Sequence, residues 1–124
     1  MKFAIQVNGS PYGSQSATTA YQFIKAAIEQ GHSVIRVFFY HDGIYNGLST
    51  MIPPSDERHP GNCWTELARQ HGIDLVVCIS AAQRRGLVEM SEDEPAPLLA
   101  QGFRIAGLGL WVEACLCADR YLQF

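Results

Sequence analysis

Asp74-Leu75-Val76-Val77-Cys78-Ile79-Ser80-Ala81-Ala82-Gln83-Arg84-Arg85-Gly86 is the stretch whose reading decides the fold. From Leu75 to Ile79 every residue is apolar, the pattern of a strand buried on both faces of a sheet. At Ser80 the pattern changes to that of a helix. Ser80 and Gln83 stand at the S-x-x-Q spacing of a capping box, in which each side chain satisfies a free backbone N–H. The spacing predicts Cys78 at the end of a central strand, two residues ahead of a helix N-terminus. A thiolate gains there from oriented N–H groups and the positive end of the helix dipole. Two readings of Cys78 stand on these residues alone: a packing residue in a buried strand, or a working thiol that must be reachable.

Upstream, residues 2–7 (KFAIQV) read as a short strand, and residues 8–14 (NGSPYGS) as a loop rich in turn formers. From Ser16, apolar Ala20, Phe23, Ile24, Ala27 and Ile28 recur at helical spacing, with Gly31 as the stop. Residues 33–40 (SVIRVFFY) are β-branched and aromatic, hence a strand that His41-Asp42-Gly43 ends. Residues 45–60 read as a surface loop, and residues 63–71 return to helical spacing before Gly72. Downstream, the acidic, proline-bearing residues 89–97 are expected to be exposed. Residues 103–106 form a strand, 107–117 a helix apolar on most sides, and 120–124 a last strand. This alternation predicts an α/β domain over residues 1–124, a flavodoxin-like three-layer sandwich with a five-stranded parallel sheet. In the flavodoxin strand order the first and third strands flank the topological switch point, where Cys78 and the loop of residues 8–15 would meet.

The chain has 124 residues, 48% of them hydrophobic and 17% charged, enough to bury a core without staples. A net charge of −3 without any basic block argues against direct nucleic-acid or acidic-membrane binding. No apolar run is long enough to span a bilayer and no signal-peptide pattern follows Met1-Lys2, so the expected location is the cytoplasm. Cys63, Cys78, Cys115 and Cys117 include no C-x-x-C and are expected to be reduced, with Cys63, Cys115 and Cys117 as small core residues. The loop Gly9-Ser-Pro-Tyr-Gly13 lacks the lysine and the spacing of a phosphate loop. Gly107-Leu-Gly109 lacks the third glycine of a dinucleotide loop and reads as tight helix–strand packing. His59 and Cys63 stand four apart, but Pro60-Gly61 between them argues against regular helix and so against a metal pair. Arg84 and Arg85 read as a solvated or partner-facing pair. Leu108, Leu110, Trp111, Val112, Ala114, Cys115 and Leu116 make the last helix too apolar for a monomer's surface and point to a subunit interface.

Taken together, Lys2-Phe-Ala, Val37-Phe-Phe-Tyr-His-Asp-Gly43, Val77-Cys78, Ala81-Ala82-x-Arg84-Arg85-Gly86, Gly102-Phe103-x-Ile105-x-Gly107-Leu-Gly109, Glu113-Ala114 and Ala118-Asp119-Arg120 with Phe124 resemble the DsrE/TusD family. The resemblance covers nearly the whole chain in order. It implies a DsrE-like sulfurtransferase that assembles with TusB- and TusC-like (or DsrH- and DsrF-like) subunits into a heterohexamer. It implies that Cys78 is the catalytic residue, taking persulfide sulfur from a TusA-like carrier and passing it to a TusE/DsrC-like acceptor. The sulfur then goes to 2-thiouridine at tRNA wobble positions or, in the Dsr branch, belongs to sulfur oxidation. Thiolate attack on a persulfide needs no cofactor and no metal. A subunit that only binds, with a partner supplying the cysteine, and a flavin-binding redox domain are the competing readings. Residues 89–101 depart from the family pattern in being shorter and acidic, and Ala106 stands where the family often has serine.

Overall fold

The computed structural model describes residues 1–87 and 98–124. Five strands alternate with helices: β1 (Lys2–Val7), α1 (Ser16–Glu29), β2 (Ser33–Phe39), α2 (Pro60–His71), β3 (Asp74–Cys78), α3 (Ile79–Arg84), β4 (Phe103–Ala106), α4 (Gly109–Cys117) and β5 (Arg120–Gln123). A 3-10 turn over His41–Gly47 follows β2. All strand pairings are parallel. The acidic stretch 89–97 read as exposed falls outside the described residues.

The strand order is β4-β3-β2-β1-β5. The α/β fold is as expected, but the order differs from the flavodoxin order. Each of the first three crossovers steps one strand further out, and only the last returns, to the far side of β1. The switch point therefore lies between β1 and β5. Since β2 separates β1 from β3, the loop of residues 8–15 does not meet Cys78. It is tied to the 3-10 turn instead, where buried Asn46 donates from Nδ2 to Gly9 O at 3.0 Å. Apolar periodicity assigns strands and helices but carries no information on which strands are neighbours.

Strand alternation sorts the side chains onto two faces. Phe3, Ile5, Val7, Val37, Phe39, Leu75, Val77 and Phe103 face α1, α2 and the 3-10 turn. Edge-on contacts of Phe3 with Phe23 (5.4 Å) and of Phe39 with Trp64 (5.1 Å) mark this layer. The small residues Ala17, Ala20 and Ala27 on the buried side of α1 let the helix lie close to the sheet. Gly43 is needed for a close approach, because a Cβ there would lie 1.9 Å from the Val7 carbonyl oxygen. The opposite face carries Ala4, Arg36, Phe38, Asp74, Val76, Cys78, Arg104 and Ala106, with α4 as its helix. Trp111 seats α4 between Phe38 (6.0 Å) and Tyr121 (6.3 Å).

Three local expectations need correction. Residues 45–60 are not a free surface loop at their start, since Asn46 and Gly47 are buried and Leu48 bridges to Leu99. Pro60-Gly61 does not interrupt α2 but opens it, because the first helical position needs no N–H donor. The His59 ring accepts from Asn62 N and caps that helix. Gly107 and Gly109 are not packing glycines. Neither has a positive φ, and nothing lies within 4 Å of a Cβ built on either.

Candidate functional site

Cys78 is the last residue of β3 and is fully buried, at 0% exposure. The capping box expected at Ser80 and Gln83 does not form. Strand pairing ends with Cys78 opposite Ala106, the chain turns at once, and α3 begins at Ile79. Cys78 is therefore itself the N-cap, with extended backbone, and Ser80 already lies inside the helix, where the Ala82 and Gln83 N–H groups that a capping serine would take are used by the helix itself. The thiol stands nearer the helix start than the sequence implied, on a helix of only six residues.

Val77 faces the 3-10 turn, where a Cβ on Gly47 would approach its side chain at 3.1 Å. Cys78 therefore points to the other face, the one α4 occupies. On that face it is flanked by Ala106 on β4 and, one step beyond the last β2–β3 pair, by Tyr40. Tyr40 shares the face with Phe38, ring centroids 6.3 Å apart. The sequence did not single out Tyr40 or Ala106 as neighbours of Cys78, because only strand register brings them together.

The amino-terminal half of the same face is ionic. Arg36 and Asp74 are register partners, with Arg36 Nε donating to Asp74 at 2.6 Å. Arg104 donates to both oxygens of that carboxylate at 2.8 Å. Its hydrogen bonds, opposed by partial burial and reinforced by Arg36, hold the Asp74 carboxyl below its ordinary value of 3.8. Arg36 also reaches across to α4, donating from Nη1 to Leu110 O at 2.6 Å and lying 3.7 Å from Glu113. The signal for this cluster in the sequence was a lone charge inside each of three strands.

The other expected positions fall differently. Cys63 and Cys115 are only partly buried and Cys117 is exposed, so none of the three is a fully enclosed core residue. Burial raises the Cys115 thiol above its ordinary value. Cys63 lines a groove of about 640 Å³ between α1 and α2, with Tyr21, Lys25, Arg58 and His59 on its walls and Cys78 elsewhere. Arg85 is partly buried, pairs with Asp42 at 2.9 Å and donates to Ala81 O, which fixes α3 to the 3-10 turn, while Arg84 is exposed. The preceding His41 holds a left-handed backbone, φ 48°. Among the described residues no three His, Cys, Asp or Glu side chains gather as a metal site. Leu108, Val112, Leu116 and Tyr121 form an exposed apolar surface on α4 and β5, with Leu116 82% exposed.

Comparison with known proteins adds an independent line. The DsrE/DsrF-like family model matches residues 1–124. The DsrE protein of Allochromatium vinosum is 51% identical, covering all of this chain and 98% of that protein. The sulfurtransferase TusD of Salmonella arizonae is 41% identical with full coverage of both. The crystal structure of the Escherichia coli ychN protein superposes with a TM-score of 0.81 at 25% identity, covering 100% of this chain and 99% of that one. A parallel five-stranded sheet in this order, together with matches that run end to end, leads to one conclusion: the chain belongs to the DsrE/DsrF-like family.

Proposed function

We propose that this protein is a sulfur-relay subunit in which Cys78 carries the sulfur. The observation behind this is the position of Cys78 at the carboxyl end of a central strand, as N-cap of the next helix, in a chain whose full-length relatives are named sulfurtransferases. The Cys78 thiolate attacks the outer sulfur of a donor persulfide. The donor's S–S bond breaks, its electron pair leaves with the donor thiolate, and a Cys78 persulfide forms. A second thiolate on an acceptor then takes the outer sulfur and returns Cys78 to a thiolate. Both steps are redox-neutral, so one cysteine suffices and no cofactor is required.

The donor is a TusA-like carrier and the acceptor a TusE/DsrC-like protein. The exposed surface of Leu108, Val112, Leu116 and Tyr121 supports assembly with TusB- and TusC-like subunits in a heterohexamer. The reducing cytoplasm suits a protein with four free thiols. No helix among the described residues is long and apolar enough to cross a membrane. The end point proposed is 2-thiouridine in tRNA. The 51% identity to a DsrE protein supports sulfur oxidation as the second reading.

Incubation with a cysteine desulfurase, the carrier and cysteine should add one sulfur atom to the Cys78 peptide and none to the Cys78→Ser protein. Equal labelling of Cys63, or no labelling in the assembled complex, would favour a subunit that only binds. Deleting the gene should abolish wobble 2-thiouridine; its persistence would favour the oxidation reading.

A further inference from the structure

We infer that His41 is a catalytic residue of the sulfur site, its imidazole N–H hydrogen-bonding the thiolate that the donor releases when Cys78 attacks. This rests on Cys78 as the sulfur site. Tyr40 flanks Cys78 at one strand spacing, about 4.8 Å, and shares its face. In extended backbone the next side chain, that of His41, would point to the opposite face. Instead His41 holds φ at 48°, and its ring lies 4.1 Å, centroid to centroid, from that of Tyr40. The left-handed turn therefore swings the imidazole onto the thiol's side of the sheet. Tyr40 and Ala106, on either side of buried Cys78, are partly exposed, so the surface nearest the sulfur is theirs. A donor that reaches Cys78 must come in past them, and the exposed imidazole stands beside one of the two.

Local stability does not explain a histidine at this position. A left-handed backbone suits glycine or asparagine and strains most other residues. His41 is the one non-glycine residue with positive φ among the described residues. The chain around it is pinned: Tyr40 N donates to Val7 O at 2.9 Å, Gly43 N donates to Tyr40 O at 2.8 Å, and Asp42 pairs with Arg85. Such surroundings hold a strained residue in place, and strain of this kind gathers at functional sites. The ring is exposed and stacks on Tyr40 without a hydrogen bond to any described residue. Imidazole carries at least one N–H in either protonation state, so a donor is always present. The step stays redox-neutral. The bond from Cys78 to the outer sulfur forms as the donor's S–S bond breaks, and the electron pair leaves on the donor sulfur. That sulfur accepts the His41 hydrogen bond, which its charge strengthens.

The test follows sulfur gain at Cys78 over time in the assembled complex, with a cysteine desulfurase, saturating carrier and cysteine, read by peptide mass spectrometry. His41→Gly removes the ring and the strain together, whereas His41→Phe keeps a ring beside Tyr40 without an N–H. Both should slow transfer about tenfold, the factor expected from losing one hydrogen bond to a charged group. The Tm of His41→Gly should stand at or above that of the parent, because the strain leaves with the side chain. A His41→Phe protein as fast as the parent, or a loss seen only below saturating carrier, would overturn the assignment in favour of packing or docking. A His41→Gly protein that loses Tm along with transfer would overturn it too, since the residue would then be structural. If the parent gains sulfur at Cys78 and both variants match its rate, His41 fails and the relay stands. If the parent itself gains no sulfur at Cys78, the relay fails and His41 with it.

Discussion

Asp74 collects two arginines on a carboxylate only partly open to water, an arrangement with a defined pH signature. Its folded pKa lies below 3.8, chiefly through the Arg104 hydrogen bonds. The stabilisation is therefore complete above the unfolded value and is lost as pH falls through the folded one. Asp74→Asn should cost about 2 kcal/mol at neutral pH by removing charge-assisted bonds. The gap from the parent protein should narrow below pH 3.8, as urea titrations at several pH values would show. A gap that stays constant with pH would mean that the carboxylate's charge contributes nothing. Gly43 sets a steric limit of a different kind. An alanine methyl would sit 1.9 Å from a backbone oxygen, so Gly43→Ala should destabilise by about 2–3 kcal/mol through forced backbone shifts. A Tm within error of the parent would show that the 3-10 turn can give way.

At the scale of elements, α4 combines a loose seat with an apolar outer side. Trp111 is its main aromatic anchor on the sheet, and Trp111→Ala should cost about 2 kcal/mol, less than a fully enclosed tryptophan because the ring is only partly buried. On the outer side, Leu116 and Val112 touch little. Leu116→Lys should leave the unfolding free energy of the isolated chain within about 0.5 kcal/mol of the parent. In co-purification with partner subunits the same variant should lose the complex, and retention of a full complex would show that α4 does not form the interface. The α3 segment behaves oppositely. Arg85 bonds Asp42 and Ala81, so the turn after Cys78 is fastened to the 3-10 turn.

For the molecule as a whole, burial ranks the four thiols. Cys117 is exposed, Cys63 and Cys115 partly covered, and Cys78 enclosed. Native-state alkylation should follow that order, with Cys115 slowed further by its raised pKa, and full denaturation should equalise the sites. A Cys78 that reacts as fast as Cys117 in the isolated chain would contradict its burial. Enclosure also has a chemical use, since a persulfide is readily lost to reductants and oxidants. In the relay proposed above, a persulfide on an enclosed Cys78 would be shielded from both between transfers.

Periodicity, turn residues and the apolar run from Leu75 to Ile79 were enough to determine five strands, four helices and their parallel alternation, because burial on a strand or a helix face is written locally along the chain. The end-of-strand position of Cys78 was legible for the same reason. Tertiary structure alone decided the strand order, which face of the sheet Cys78 takes, and that Tyr40 and Ala106 flank it. It also decided that the helix begins at Ile79 rather than after Ser80, since the end of pairing with β4 sets where the chain may turn. Those outcomes depend on which strands become neighbours, a choice among packings of nearly equal local pattern that only the assembled core resolves.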